Sequence, residues 1–425
     1  MNREERRQRR QRDTKQATIL FIIFLIAVLL AVAGLVFVIG KFVIKDRADK
    51  PKEPVGTQTQ QPSEETAPPT VPVVDEATTK AAEYVAGMTL EDKIAQMFVI
   101  TPDALTGFSG VTAAGDTTKE WYGKRPVGGI VYLPDNLKDR EQTSTMLRNM
   151  DTIARERTGL PVFLCIDEEG GSVVGIAGNS AFGVTDVGNM AAIGATGDSQ
   201  NAYNAGNVIG GYLSELGFNV DFAPVADVSV TEGNAIGDRA FGTDSQLVAE
   251  MIASELKGLS DAGVYGTAKH FPGYGGVSGD PHENAVSTDR GLEELKGMEL
   301  VAFQRAVDAG VPFIMAGHIA APKVTGDDTP SSLSQMMLTD VLRTQMGYKG
   351  IVITDAMNVN AITSVYGADE AAVKAVQAGA DMILMPQDYE AAYNGLLDAV
   401  KNGTISEDRI NESLIRIVKA KQQLG

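Results

Sequence analysis

A single cysteine, Cys165, stands in the 425 residues, so no intrachain disulfide can form. A chain of this size buries enough core to need none. Apolar residues flank Cys165, which marks an inert buried thiol rather than a nucleophile. Only three histidines occur and no His/Cys group has metal-ligand spacing, so neither metal nor cofactor is expected. Positive charge is also scarce: 37 Lys and Arg face 55 Asp and Glu, a net −18. Seven of these cations cluster in Met1–Gln16, where with three acids they give +4 and leave −22 for the rest. So acidic a body argues against nucleic acid or anionic lipid surfaces as partners. A doubly wound dinucleotide-binding sheet also lacks support, because no Gly-x-Gly-x-x-Gly follows the first strand run.

Charge is absent altogether from the 24 residues Ala17–Gly40. As a helix they would extend about 36 Å, enough to cross a hydrocarbon core of roughly 30 Å. The basic residues 1–16 are expected to stay in the cytoplasm and everything after Lys41 to lie outside. The expected organisation is a single-pass anchor at 17–40 in the cell membrane, with an extracellular catalytic domain. A cleaved signal ending near Ala31-Val32-Ala33 is the alternative. Residues 41–77 form a linker, with Pro51, Pro54, Pro62, Pro68, Pro69 and Pro72 among Thr, Gln and Glu.

Residues 78–425 show eight short apolar runs suited to buried parallel strands, starting at Met97, Gly129, Val162, Val220, Val264, Phe313, Gly350 and Met382. Helical patterns separate them at 140–157, 199–216, 245–262, 292–309, 334–345 and 369–378. Such alternation predicts an α/β fold, a TIM (β/α)8 barrel forming one catalytic domain. Polar residues follow the runs at Asp167-Glu168-Glu169, Asp221, Lys269-His270, His318 and Asp355, where barrel chemistry sits. Period-two alternation would send Lys269 and His270 to opposite faces unless the strand is ending there. His318 reads as a structural residue.

Two of the three histidines fall within Gly266–Asp289, which breaks at Pro272-Gly273 into a loop carrying Gly275, Gly276 and Gly279. On it Asp280 and His282 flank Pro281. A carboxylate so placed can accept from one imidazole nitrogen and leave the other to move a proton. A solvated turn with no catalytic role fits the isolated motif as well.

The string Lys269-His270-Phe271-Pro272-Gly273-Tyr274-Gly275, followed by Asp280-Pro281-His282, is similar to the signature of family 3 glycoside hydrolases, in their β-N-acetylglucosaminidase branch. Ile166–Gly171, Asp221–Val228, Ile236–Gly242 and Ile353–Met357 resemble the family's other blocks, in the same order. The resemblance implies a retaining exo-glycosidase that releases terminal β-linked N-acetylglucosamine through a glycosyl-enzyme. It implies Asp355 as nucleophile, His282 assisted by Asp280 as acid/base, and Asp167, Arg239, Lys269 and His270 as sugar ligands. With an exported position, the expected substrate is carbohydrate from peptidoglycan turnover.

Two departures stand out. Family members commonly carry an arginine soon after the Glu-Gly-Gly block, where this chain has Ser172-Val173-Val174-Gly175, so one guanidinium contact to the sugar is in doubt. Pro281 replaces a small hydroxyl residue. Several readings stay open: another sugar preference, phosphorolysis on the same scaffold, substrate-assisted hydrolysis by Asp167-Glu168, a Schiff base on Lys269, and a wall-binding pseudoenzyme.

Overall fold

The computed structural model describes residues 75–231, 234–277, 279 and 284–425. Residues 1–74, with the expected anchor and most of the linker, lie outside that set, as do Asp280, Pro281 and His282. Among the described residues no helix is long and apolar enough to cross a membrane. The expected linker end at 77 falls inside a helix: Glu76–Ala86 begins where Asp75 accepts from the Thr78 N–H and caps it.

Eight parallel strands form one sheet: β1 Phe98–Ile100, β2 Gly129–Val131, β3 Phe163–Ile166, β4 Val220–Asp221, β5 Tyr265–Phe271, β6 Phe313–Ala316, β7 Ile351–Thr354 and β8 Ile383–Leu384. Each pairs with its neighbour in sequence, and β8 returns to β1. A bridge from Ile353 to Met382 joins β7 to β8 and brings the sheet round into a TIM-like α/β barrel. All eight strands coincide with apolar runs of the sequence.

Most of the helices also follow their patterns, because side-chain caps and left-handed glycines end them. Asp139 caps Arg140–Thr158 and Gly159 closes it at φ 73°. Two expectations change. The pattern at 292–309 breaks at Met298, whose φ −138° and ψ −83° separate Leu292–Gly297 from Glu299–Asp308. The helix expected at 334–345 begins at Met336 and runs as a π-helix to Gln345. Helices Ser199–Leu216 and Ser245–Asp261 cross closely on glycine. A Cβ on Gly258 would stand 2.3 Å from the Tyr203 carbonyl, and one on Gly206 2.4 Å from that of Glu255.

Inside the barrel Val99, Val131, Cys165, Phe222, Met315, Ile353 and Leu384 pack together, and Ile417 and Ala420 of the last helix, Glu407–Gln423, close the base. Lys421 is buried in the same plug, donating to Gln96 Oε1 at 2.7 Å, with its ammonium 5.1 Å from the Phe163 ring. Burial lowers its pKa to about 7. Buried Asp381 fixes the plug: it pairs with Arg343, accepts from Arg416 at 2.9 Å and Ser413 Oγ at 2.6 Å, and takes the Val352 N–H at 2.9 Å.

Candidate active site at the barrel mouth

Side chains alternate along a strand, so the residue two beyond each inward-facing core residue stands at the C-terminal mouth. Counting on from the core gives Thr101, Leu133, Asp167, Pro224, Lys269, Gly317, Asp355 and Pro386 in ring order. Three of the expected site residues, Asp167, Lys269 and Asp355, are therefore on one ring because of strand parity alone.

Lys269 centres the charged half. Its ammonium lies 2.6 Å from Asp167 Oδ1 and 2.6 Å from Glu169 Oε1, with its side chain buried. Arg239, on the turn Gly237–Arg239, grips Glu169 with two parallel bonds of 2.7 Å. Burial alone would raise the Glu169 pKa, but Lys269 and then Arg239 outweigh it and lower it to about 2. Burial likewise works against the Lys269 charge and is outweighed by Asp167 and Glu169, so its pKa is raised. A lysine held as ammonium is a poor Schiff-base former, which counts against the lyase alternative.

The Lys269–His270 peptide, near the end of β5, is cis. His270 Nδ1 meets Asp227 Oδ2 at 2.8 Å, while Asp227 Oδ1 accepts the Tyr274 N–H at 2.5 Å. The Tyr274 hydroxyl accepts the His318 N–H at 2.8 Å. His318 Nε2 donates to the Ala356 carbonyl at 3.0 Å, and its Nδ1 lies 2.7 Å from Ser332 Oγ. One hydrogen-bonded train thus ties both imidazoles to the chain around Asp355. His318 is buried and enters the site through the backbone beside Asp355, the structural place expected for it.

Asp355 follows β7 and accepts the Ala356 N–H at 2.8 Å. Burial pushes its pKa up, yet the neighbouring imidazoles of His270 and His318 carry the net shift downward. A carboxylate so kept ionised at a rigid strand end is suited to nucleophilic attack.

The Glycosyl hydrolase family 3 N terminal domain model matches residues 89–420. The chain belongs to that family. It is 31% identical over 387 residues to Beta-hexosaminidase LpqI of Mycobacterium tuberculosis (strain ATCC 25618 / H37Rv), covering 87% of this chain and 92% of the relative. It is 28% identical over 341 residues to Beta-hexosaminidase A of Pseudoalteromonas piscicida, covering 74% of this chain and 56% of the relative. The solved glycoside hydrolase family 3 beta-N-acetylglucosaminidase from Paenibacillus sp. str. FPU-7 superposes with a TM-score of 0.74 at 37% identity, over 80% of this chain and 63% of that one. The chain thus spans less than two thirds of the length of the last two.

Within this family 3 barrel, three further buried carboxyls, Glu168, Asp221 and Glu255, lie close behind the charged cluster. Glu168 accepts the N–H groups of Gly175, Ile176 and Ala177 at 2.7, 2.8 and 2.8 Å and the Tyr212 hydroxyl at 2.8 Å. With its acceptors filled and its side chain buried, Glu168 cannot partner Asp167 on a sugar, which removes the substrate-assisted pair. Asp221 is fully buried with Oδ2 unpartnered, and burial, then the Glu168 charge, holds its pKa well above the carboxylate range. Glu255, on Ser245–Asp261, has neither carboxyl oxygen partnered; burial, then the Glu169 charge, raises its pKa to about 8. Glu169 and Asp227 were quoted in motif blocks, but their roles depend on contacts to residues far along the chain. No group of His, Cys, Asp or Glu among the described residues could hold a metal.

A cavity of about 1080 Å³ opens at the other end, lined by Tyr265, Pro312, Lys349, Arg416 and Lys419 among others. Most of its cations already have partners, Lys419 with Asp75 at 2.8 Å and Arg416 with Asp381, so it offers the mouth's chemistry no rival.

Proposed function

We propose that the chain is a retaining exo-glycosidase releasing terminal β-linked N-acetylglucosamine from peptidoglycan fragments. Asp355 attacks the anomeric carbon and forms the glycosyl-enzyme; His282, oriented by Asp280, protonates the leaving oxygen and then activates water. Asp167, Lys269, Arg239 and His270 hold the sugar hydroxyls, with Asp227 and Glu169 positioning them. The observation carrying this reading is Asp355, an ionised carboxylate on the same mouth ring as Asp167 and Lys269. The hydrolase signature blocks and the names of the relatives support the sugar, and residues 17–40 as a single-pass anchor support an extracellular site.

The test is turnover by the full-length protein in detergent of aryl β-N-acetylglucosaminide against the matching β-glucoside, with and without phosphate. Preferential release of N-acetylglucosamine without phosphate is expected; phosphate dependence would make it a phosphorylase. His282→Ala should give a burst with a dinitrophenyl leaving group, then stall, and azide should restart turnover because an anion needs no general base. Normal steady-state rates on poor leaving groups would place the acid elsewhere.

A further inference from the structure

The backbone that carries Asp355 is hydrogen-bonded on both sides. The Asp355 N–H donates to the Ala316 carbonyl at 2.8 Å, the Ala356 N–H to Asp355 Oδ1 at 2.8 Å, and the Met357 N–H to the Leu384 carbonyl at 2.9 Å. The ends of β6 and β8 therefore grip the chain. Between those grips the Ala356 carbonyl has a side-chain partner, His318 Nε2 at 3.0 Å. A carbonyl can only accept, so Nε2 carries a proton. In a neutral imidazole the other nitrogen is then an acceptor, and the hydroxyl that meets Nδ1 at 2.7 Å is that of Ser332.

Ser332 is placed for this by the single helical turn Ser331–Leu333, which folds back on the chain that follows β6. Its N–H donates to the Gly317 carbonyl at 3.1 Å, the Ser331 hydroxyl donates to the Ile319 carbonyl at 2.6 Å, and a bridge joins Pro330 to Ala320. The turn is thus fixed independently of the imidazole. Ser332 is fully buried, so an imidazole that lost this hydroxyl would have a polar atom to pair again inside the protein.

We infer that Ser332 is a positioning residue for the nucleophile: through Nδ1 it commits the His318 imidazole to the tautomer whose Nε2–H pins the Ala356 carbonyl, and so fixes the peptide that sets Asp355. This role rests on the glycosidase reading above, in which Asp355 attacks. Without the hydroxyl the ring is free to carry its proton on Nδ1, which turns the Nε2 lone pair against the carbonyl. The Ala356 peptide then slackens, and its N–H holds Asp355 Oδ1 less well. Burial opposes the Asp355 charge, and His270, His318, the Ala356 N–H and Lys269, in that order, outweigh it. Weakening the Ala356 bond raises the pKa of the carboxyl, so the ionised nucleophile is lost at a higher pH.

The experiment measures kcat/KM against pH for the full-length protein in detergent on dinitrophenyl β-N-acetylglucosaminide, whose leaving group needs no acid, so that the acid limb reports Asp355. Ser332→Ala should lower kcat/KM about tenfold, the scale of one buried hydrogen bond, and move the acid limb to higher pH. His318→Gln has no Nδ1 for the hydroxyl to hold, so adding Ser332→Ala to it should change neither rate nor limb further. Ser331→Ala loses a hydroxyl from the same turn and should lower the melting temperature while leaving the limb in place. A limb unmoved in Ser332→Ala, or moved equally in Ser331→Ala, overturns the role, as does an undiminished Ser332→Ala effect in the His318→Gln protein. If Ser332→Ala does not fold, Ser332→Cys, whose thiol is a weak donor, carries the same comparisons. A wild type inert on this substrate overturns the glycosidase reading and this role with it, whereas turnover by wild type with any of the overturning results removes the role alone.

Discussion

The two ends of the barrel bury the same kind of chemistry and use it differently. At the base, Asp381 has its partners in Arg343, Arg416, Ser413 and the Val352 N–H, and these clamp the closing helix to the strands. At the mouth, Glu169 is as fully paired by Lys269 and Arg239, but Asp167 remains 40% exposed and Asp355 faces the opening. Glu255 and Asp221 behind them keep unpartnered oxygens. A closed ionic cluster serves stability, whereas one left incomplete has valences to offer a ligand.

The sharpest way to break this contrast is to remove one carboxylate from each end. Asp355→Asn should lower kcat by about 10³-fold or more on every substrate, good leaving groups included, with little change in thermal melting. A residual rate that rises with leaving-group quality would show that Asp355 is not the nucleophile. Asp381→Ala should do the reverse, because Arg343 and Arg416 lose a buried counter-charge. It should cost about 3–5 kcal/mol of stability in denaturant titration, while kcat per folded molecule stays near wild type. Equal damage to kcat would mean the two ends are not independent.

The third test uses pH. A carboxyl whose pKa is raised on folding contributes least penalty below its unfolded value near 4.5 and destabilises increasingly up to its folded value of about 8. Wild-type stability should therefore fall between those limits by up to a few kcal/mol, and Glu255→Gln should flatten that slope. Melting curves at pH 5 and pH 8.5 measure it; parallel slopes in the two proteins would mean Glu255 finds a partner. Glu169 runs the other way: its pKa of about 2 is lowered, so its contribution is present above 4.5 and lost only toward pH 2.

The smallest expected effect concerns the absent arginine. Gly175→Arg should lower KM by at most about tenfold, one charge-assisted contact of roughly 1.4 kcal/mol. Its Cβ would stand 3.1 Å from Ile166 Cδ1, so that side chain must give by a few tenths of an ångström. An unchanged KM would mean the sugar needs nothing from that position.

The barrel was legible because its strands are short continuous apolar runs with polar residues where they end. Asp167, Lys269 and Asp355 could be read as neighbours once the strands were placed. For His270 alternation left the face open, since a strand ending there would free both side chains, and in the structure its Nδ1 meets Asp227. The break at Met298 and the π-helix at Met336–Gln345 carry helical periodicity, so apolar spacing alone does not announce them. Glu255 was equally silent: on Ser245–Asp261 a glutamate looks like surface, as Glu250 is, and the glycine-mediated crossing with Ser199–Leu216 turns Glu255 inward.

The contact between the first described helix and the last has a mechanical consequence. Asp75 caps helix Glu76–Ala86 and binds Lys419, one residue before Ala420 of the plug, so this helix is fastened to the closed end of the barrel. Strain applied to helix Glu76–Ala86 is therefore received by the plug helix and its arginine clamp, like weight on a keystone at the base. The ring of Asp167, Lys269 and Asp355 stands at the opposite pole and is spared it.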